Sequence, residues 1–562
     1  MSVAPASDSA VDLPLWRRWH ADGIAAAVVF ALTAAFTVLA FPPFHTPEAA
    51  YVFAAPAALW AYRRPPWRLF AATVLGAQAI AWTIILGWLH HVTWAGLFLL
   101  GPFVGLWVGV WFLSLRWMMP RLPGRPAPLR LLAVAGLAGL WVVNEWTRTW
   151  LLGGFPWLPL AASQWQRAPI LQVAAFTGAG GVSFVLITMS LALGAYAHRL
   201  SFEAARGRTR RCPEFWMAML LILGGFTLYL QEAAGRGLYA KFLARVALVQ
   251  PDIPQAVKWD NSKTGEILAT LNRLTTEAAA TKPDLILWPE ASTPFALNAD
   301  PDLRDWVEKL ASDARCPLVL GSIATLPPGP EGHTDWFNAA FVTDPATGVR
   351  PEFYAKRKLV PFGEFVPLRP LLGWIGKFVP IGDDFGRGTA ATPLAVRLPG
   401  SIHALGSPML ALGPLICYED NFPALARADA LAGADALLVL TNNGWFGEGG
   451  AAYQQAASAV LRAVETRRPV LRDGNAGWSG WIDEFGGIRA VLTQDDAGQV
   501  STDPAAKGTI YFCGTATVNV TRDSRWVGQQ TIYTLHGDWF VAVSGVLALA
   551  AWLALRRLPP VA

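Results

Sequence analysis

"GPLICYED", Gly413–Asp420, closes an apolar run on a thiol, a phenol and two carboxylates. The run is too short for a buried helix, and it lacks the polar alternation of a half-exposed strand. It therefore reads as a strand covered on both faces, the kind found inside α/β layers. Similar runs surround it: "ARVALVQ", "LILWPE", "PLVLGSIA", "NAAFVTD", "ALLVLTNN", "RPVLRDGN" and "TIYFCGTATV". Between them, "TGEILATLNRLTTEAAA" and "YQQAASAVLRAVETR" carry the 3.6-residue apolar period of helices. The segment from Phe242 to Thr531 is thus expected to be an α/β domain. Its sites are expected at strand ends.

Three strand ends carry unusual chemistry. "LILWPEAST" ends a buried run on Glu290, which is either a desolvated general base or a surface glutamate capping the strand. "YAKRKLVPFGEFVP" sets Lys356 and Lys358 ahead of a Pro-Phe-Gly turn and Glu364; lysines of this kind are either solvated or recruited to a site. Cys417, in "LICYED", is either a small inert hydrophobe or a nucleophile. Taken together they make a coherent set, because a thiol needs a neighbour that accepts its proton and a cation that favours thiolate and oxyanion. No histidine of the segment (His333, His403, or His536 at its edge) sits in a motif, so glutamate and lysine must supply that chemistry.

The remainder of the chain is membrane-like. Of 562 residues 53% are apolar and 15% charged, and 27 are tryptophans, which collect at membrane interfaces. Apolar runs long enough to span are expected near residues 23–41, 48–62, 68–89, 94–115, 129–151, 169–197, 214–231 and 538–555, eight in all. Arginines alternate between their ends. Arg17, Arg18, Arg63, Arg64, Arg68, Arg116, Arg121, Arg125, Arg130, Arg199, Arg206, Arg208, Arg210, Arg211, Arg556 and Arg557 fall on one side, and the opposite loops hold only Arg167. The positive-inside rule then makes the N-terminus cytoplasmic and the α/β segment extracytoplasmic. The first run has an arginine-bearing leader and no A-x-A site, so it is expected to be retained. The expected organisation is a transmembrane bundle of about seven helices over 1–235, an α/β domain over 242–531, and a final helix with a cytoplasmic tail over 536–562. Cys212, Cys316, Cys417 and Cys513 are too scattered for a disulfide framework or a metal site.

Glu in W-P-E, Lys eight residues before the Glu of P-F-G-E, and Cys in I-C-Y-E resemble the Glu-Lys-Cys triad of the nitrilase superfamily. With helices on both sides, the chain is similar to the apolipoprotein N-acyltransferases, membrane-embedded members of that superfamily. "FPPF", "NEWTRTWLLGGFPW", "IPQAVKWD" and "NNGWFG" extend the likeness over nearly the whole chain. The resemblance implies a nitrilase-like αββα sandwich and three roles: Glu290 as general base, Lys356 at the oxyanion, Cys417 as nucleophile. It also implies that Glu364 orients Lys356, that Tyr418 and Glu419 shape the pocket behind the thiol, and that Trp259 stands at the lipid entry; an interfacial anchor is the other reading of Trp259. By the same resemblance the reaction is ping-pong in a bacterial inner membrane, with a phospholipid acyl donor, typically phosphatidylethanolamine, and a diacylglyceryl-apolipoprotein acceptor. No cofactor, metal or nucleic acid is implied. A membrane-tethered amidase, whose thioester is released by water, is the alternative.

The chain departs from the family pattern at Asn443, Gln455, Trp478 and Trp481. By the resemblance, these departures bear on the covering loops and acceptor pocket. Glu145 and Arg148, three apart near the outer end of the fifth run, are expected either to pair and bind a headgroup or to snorkel. His90 and His91 are adjacent, so they are expected on different faces of a helix, with no metal between them.

Overall fold

The structure is a computed structural model. It describes residues 15–44, 46–203, 211–258, 260–326, 334–367, 369, 384–399 and 406–560, with side chains from 22 onward. Among the described residues six helices are long and apolar enough to cross a membrane: Asp22–Leu39, Trp67–Ile85, Trp94–Arg121, Ala127–Thr147, Ala179–Phe202 and Pro213–Tyr239. Two of the eight expected spans, 48–62 and 538–555, are not among these six, and a third, 169–197, is cut short. Residues 48–62 form a 3₁₀ turn, Pro47–Tyr51, and a seven-residue helix, Ala55–Ala61. At 1.5 Å per residue that helix reaches about 10 Å, a third of a bilayer core. It lies inside the bundle, where Gly194 allows the helix Ala179–His198 to approach the backbone of Ala55 and Leu59. The run 169–197 is interrupted at Gly178 (φ 69°), whose missing side chain makes room for the Tyr533 ring, so the long helix begins only at Ala179.

The C-terminal helix, Trp539–Leu555, has 17 residues. It is fitted to the helix Ala127–Thr147 by small residues: a Cβ at Gly136 would meet Ala551, and one at Gly139 would meet the Ser544 carbonyl. Close small-residue contact of this kind is how helices associate in lipid, where hydrophobic segregation gives no driving force. The arginine-bearing loops gather at one end of the bundle. There Arg116 donates to the Pro65 carbonyl, Arg125 to that of Pro559, and Arg130 and Arg199 both pair with Glu214.

The α/β part joins the opposite end. One sheet uses β1 Ala240–Gln250, β2 Leu285–Trp288, β3 Leu318–Thr325, β4 Trp336–Asp344, β5 Gly348–Val349, β6 Tyr354–Ala355 and, last in the chain, β13 Gly514–Asp523, in the order β13-β1-β2-β3-β4-β5 with β6 also on β4. The other has the order β12-β11-β10-β9-β8-β7, built from β7 Leu394–Arg397, β8 Met409–Ile416, β9 Ala436–Thr441, β10 Val470–Gly474, β11 Gly480–Ile482 and β12 Ile488–Val491. Strands β1-β2-β3 and β8-β9-β10 are parallel, the central blocks of the two sheets. Between the sheets, Val246, Leu248, Leu287 and Val319 of the first meet Leu410, Leu412, Leu438 and Leu440 of the second. The helix Thr264–Ala280 covers the outer face of the first sheet through Ile267, Leu271, Leu274 and Ala278. The helix Gly450–Thr466 covers the second sheet and is buried on nearly all sides, because the membrane bundle closes over its other face. The result is an αββα sandwich. One expected strand is shifted: in "TIYFCGTATV" the strand begins only at Gly514 and continues to Asp523.

Candidate active site

Three strand ends meet at one edge of the sandwich. Glu290 lies two residues past β2, Lys356 directly follows β6, and Cys417 directly follows β8. Gly321 of β3 brings the first into place, since a Cβ there would strike the Pro289 carbonyl and the Glu290 Cα. Cys417 opens a 3₁₀ turn, Cys417–Asn421, with φ 51°, a left-handed backbone that a non-glycine residue holds only when its surroundings fix it.

The Lys356 ammonium is buried between two carboxylates, 3.2 Å from Glu290 Oε1 and 2.8 Å from Glu364 Oε1. Burial works against its charge, but these two carboxylates prevail and hold it above the ordinary lysine range. Asn338, on β4, donates its two amide hydrogens to the same two oxygens, at 2.7 and 2.9 Å. Glu364 Oε2 in turn accepts the Val360 N–H at 2.8 Å, so this carboxylate is fixed at both ends.

The Cys417 thiol is pushed up to about 11, first by burial and then by the Glu290 charge, with Lys356 opposing. At neutral pH it is a thiol that must hand its proton to a base during reaction. Gln455 Nε2 approaches its sulfur at 3.7 Å, and Gln455 Oε1 accepts from Asn443 at 2.7 Å and Arg472 at 2.8 Å. Arg472 is anchored by Asp420 at 2.6 Å and by the Trp478 carbonyl at 3.2 Å. Asn443, Gln455 and Trp478, three of the positions that depart from the family pattern, thus share one buried network behind the thiol.

Glu419 fastens the lysine loop to the cysteine turn. Its four contacts are the N–H groups of Arg357 (2.6 Å) and Lys358 (2.9 Å) on Oε1, and the Ile416 N–H (2.8 Å) and Tyr354 O–H (2.7 Å) on Oε2. Tyr418 turns the other way and donates to the Gly154 carbonyl of the membrane part at 3.1 Å. Glu290, Lys356, Glu364, Cys417 and Glu419 are therefore gathered in one place, while Tyr418 ties that place to the bundle. Trp259 lies outside the described residues.

Glu145 and Arg148 make no ion pair with each other among the described residues. Glu145 accepts the Leu160 N–H at 2.6 Å, and Arg148 donates to the Phe155 and Trp157 carbonyls while stacking over Trp82. Both brace the 154–160 loop that receives Tyr418. His90 and His91 sit in a 3₁₀ turn with ring centroids 3.9 Å apart, so they do not diverge as adjacent residues of an α-helix would. Two site residues were not singled out in the sequence, Asn338 and Lys258. The available signals were an asparagine within an apolar strand run and a lysine directly after "IPQAV".

Comparisons with known proteins fit this architecture. The family profile for the apolipoprotein N-acyltransferase N-terminal domain matches residues 33–192, and that for carbon-nitrogen hydrolases matches 245–523. An apolipoprotein N-acyltransferase from Geobacter metallireducens is 35% identical over 63% of this chain and 64% of its own length. One from Rhizobium etli is 31% identical over 77% of this chain and 86% of its own. Among solved structures, an amidase from Nesterenkonia sp. aligns with 53% of this chain and 97% of its own at 19% identity, with a TM-score of 0.36. A membrane bundle joined to a nitrilase-like domain, and relatives of one name aligned across both parts, place the chain in the apolipoprotein N-acyltransferase family.

Proposed function

We propose that the protein transfers an acyl chain from a phospholipid, by way of a Cys417 thioester, to the α-amino group of a lipoprotein's diacylglyceryl-cysteine. The observation that carries this reading is the convergence of Glu290, Lys356 and Cys417 at a sandwich edge bonded directly to a membrane bundle.

In the first half-reaction the Glu290 carboxylate takes the thiol proton and Cys417 Sγ attacks the ester carbonyl. The oxyanion forms beside the Lys356 ammonium, which the Glu364 carboxylate still pairs at 2.8 Å once Glu290 holds the proton. Collapse breaks the ester C–O bond, and the leaving alkoxide takes the proton from Glu290, which yields a lysophospholipid and the thioester. In the second half-reaction Glu290 accepts a proton from the incoming amine, the nitrogen attacks the thioester, and the thiolate leaves and is reprotonated. Glu364 and Asn338 keep Lys356 and Glu290 aimed throughout.

Phosphatidylethanolamine is the proposed donor. The compartment is a bacterial inner membrane with the α/β domain on its outer side, a reading supported by the arginine-bearing loops at the end of the bundle away from that domain. Both substrates are bilayer lipids, so a site joined to a bundle reaches them without extracting them. The test is to incubate pure protein with phosphatidylethanolamine and weigh the Cys417 peptide, then add a diacylated lipopeptide. One acyl mass on Cys417, passed on to the lipopeptide, is expected. Acyl on Cys316 or Cys513, or free fatty acid released as fast without lipopeptide as triacylated product forms with it, refutes the reading.

A further inference from the structure

We propose that Lys258 is a second cation of this site, a positioning residue that holds the Glu290 main chain and, while protonated, favours the Cys417 thiolate. This rests on the reading of Cys417 as the nucleophile. Lys258 ends a short helix, Gln255–Lys258, after β1, and is buried, with 3% of its surface exposed. Its ammonium donates to the Glu290 carbonyl at 3.0 Å, the one acceptor it has among the described residues. An ammonium carries three N–H groups, and burying one with two of them unmatched is costly unless nearby negative charge offsets the loss. The titratable groups facing it are Glu290, at the end of β2, and Cys417, at the end of β8, while Lys356 faces both of these from the end of β6.

The Glu290 residue is thus held from two directions, its carboxylate by Lys356 and its main chain by Lys258. The two lysines differ in kind. Lys356 has two carboxylate partners and stays charged, whereas burial pulls Lys258 down to about 8, with Glu290 and Cys417 opposing. As the thiol proton passes to Glu290, the negative charge facing Lys258 moves from the carboxylate to the sulfur, and the ammonium gives the thiolate an electrostatic attraction. Loss of the Lys258 proton removes it.

The test follows alkylation of Cys417 by iodoacetamide in the full-length protein in detergent micelles, read as the mass of the Cys417 peptide across pH. Below its pKa an isolated thiol alkylates about tenfold faster per pH unit. In wild type that rise should flatten around pH 8, as Lys258 loses its proton. Lys258→Met should slow alkylation at about pH 7 by roughly tenfold and abolish the flattening. Lys258→Arg, which stays charged, should keep the rate and also abolish the flattening. A lysine that served only to hold the fold would shift the unfolding midpoint and leave these profiles alike. A wild-type profile rising at full slope from about pH 7 to about pH 10, or a Lys258→Met profile superimposed on wild type, overturns the inference. Should Lys258→Met not fold, the wild-type and Lys258→Arg profiles decide. The assay needs no phospholipid, so its failure is distinct from failure of Cys417 to become acylated.

Discussion

Replacing Asn338 by leucine removes an amide wedged between two carboxylates while nearly conserving volume. The amide presents its NH₂ to both Glu290 and Glu364, because only the donor end can face two carboxylate oxygens. Hydrogen bonds to charged groups contribute about 1.5–3 kcal/mol each, so the two together amount to about 3–6 kcal/mol. Against this, Asn338 Oδ1 is buried without a partner, and its removal returns about 1–3 kcal/mol. The loss wins by about 2 kcal/mol, which corresponds to an unfolding midpoint lower by roughly 5 °C for a domain of this size. Activity should fall further than stability, because the Glu290 carboxylate then keeps one partner among the described residues, Lys356 at 3.2 Å, to aim it. A misaimed base of this kind costs about 10²-fold. The assay pairs a thermal scan in detergent with the rate at which the Cys417 peptide gains an acyl mass. An Asn338→Leu protein with the wild-type midpoint and acylation rate would refute the argument.

Other expectations are as direct. Glu290→Gln removes the negative charge that raises the Cys417 thiol, so iodoacetamide should alkylate Cys417 faster at about pH 8 while acylation by phospholipid falls by about 10²- to 10⁴-fold; slower alkylation would contradict the electrostatics. Gln454 accepts from the Trp88 and Trp157 indoles and donates to the Pro42 and Ile85 carbonyls, so Gln454→Leu strands four buried groups where bundle and sandwich meet. It should cost about 4 kcal/mol, and an unchanged thermal midpoint would count against it. Cys513 is the exposed cysteine, whereas Cys212, Cys316 and Cys417 are buried, so orientation is best read at Cys513. An impermeant maleimide should label it in intact spheroplasts, and labelling only after lysis would reverse the orientation.

Local patterns in the sequence determined the elements. The helix Thr264–Ala280 coincides with the 3.6-residue period of its sequence, and β2, β8 and β9 lie on apolar runs, because burying such runs dictates local conformation before any partner is chosen. Apolar length alone, however, overstated the spans. Whether residues 48–62 cross a bilayer or fold back inside the bundle depends on the neighbours that surround Ala55–Ala61, and Trp539–Leu555 finds its place through the glycines of another helix. Glu290, Lys356 and Cys417 were legible from the residues around each, as an ordered set of motifs. What lies between them was not. Asn338 and Lys258 touch Glu290 from elements distant in the chain, one through its carboxylate and the other through its carbonyl, and no periodicity encodes such a meeting. Glu145 and Arg148 show the same limit from the other side: helical spacing makes them neighbours, but the loop at 154–160 offers each a better partner, and only the packed chain brings that loop within reach.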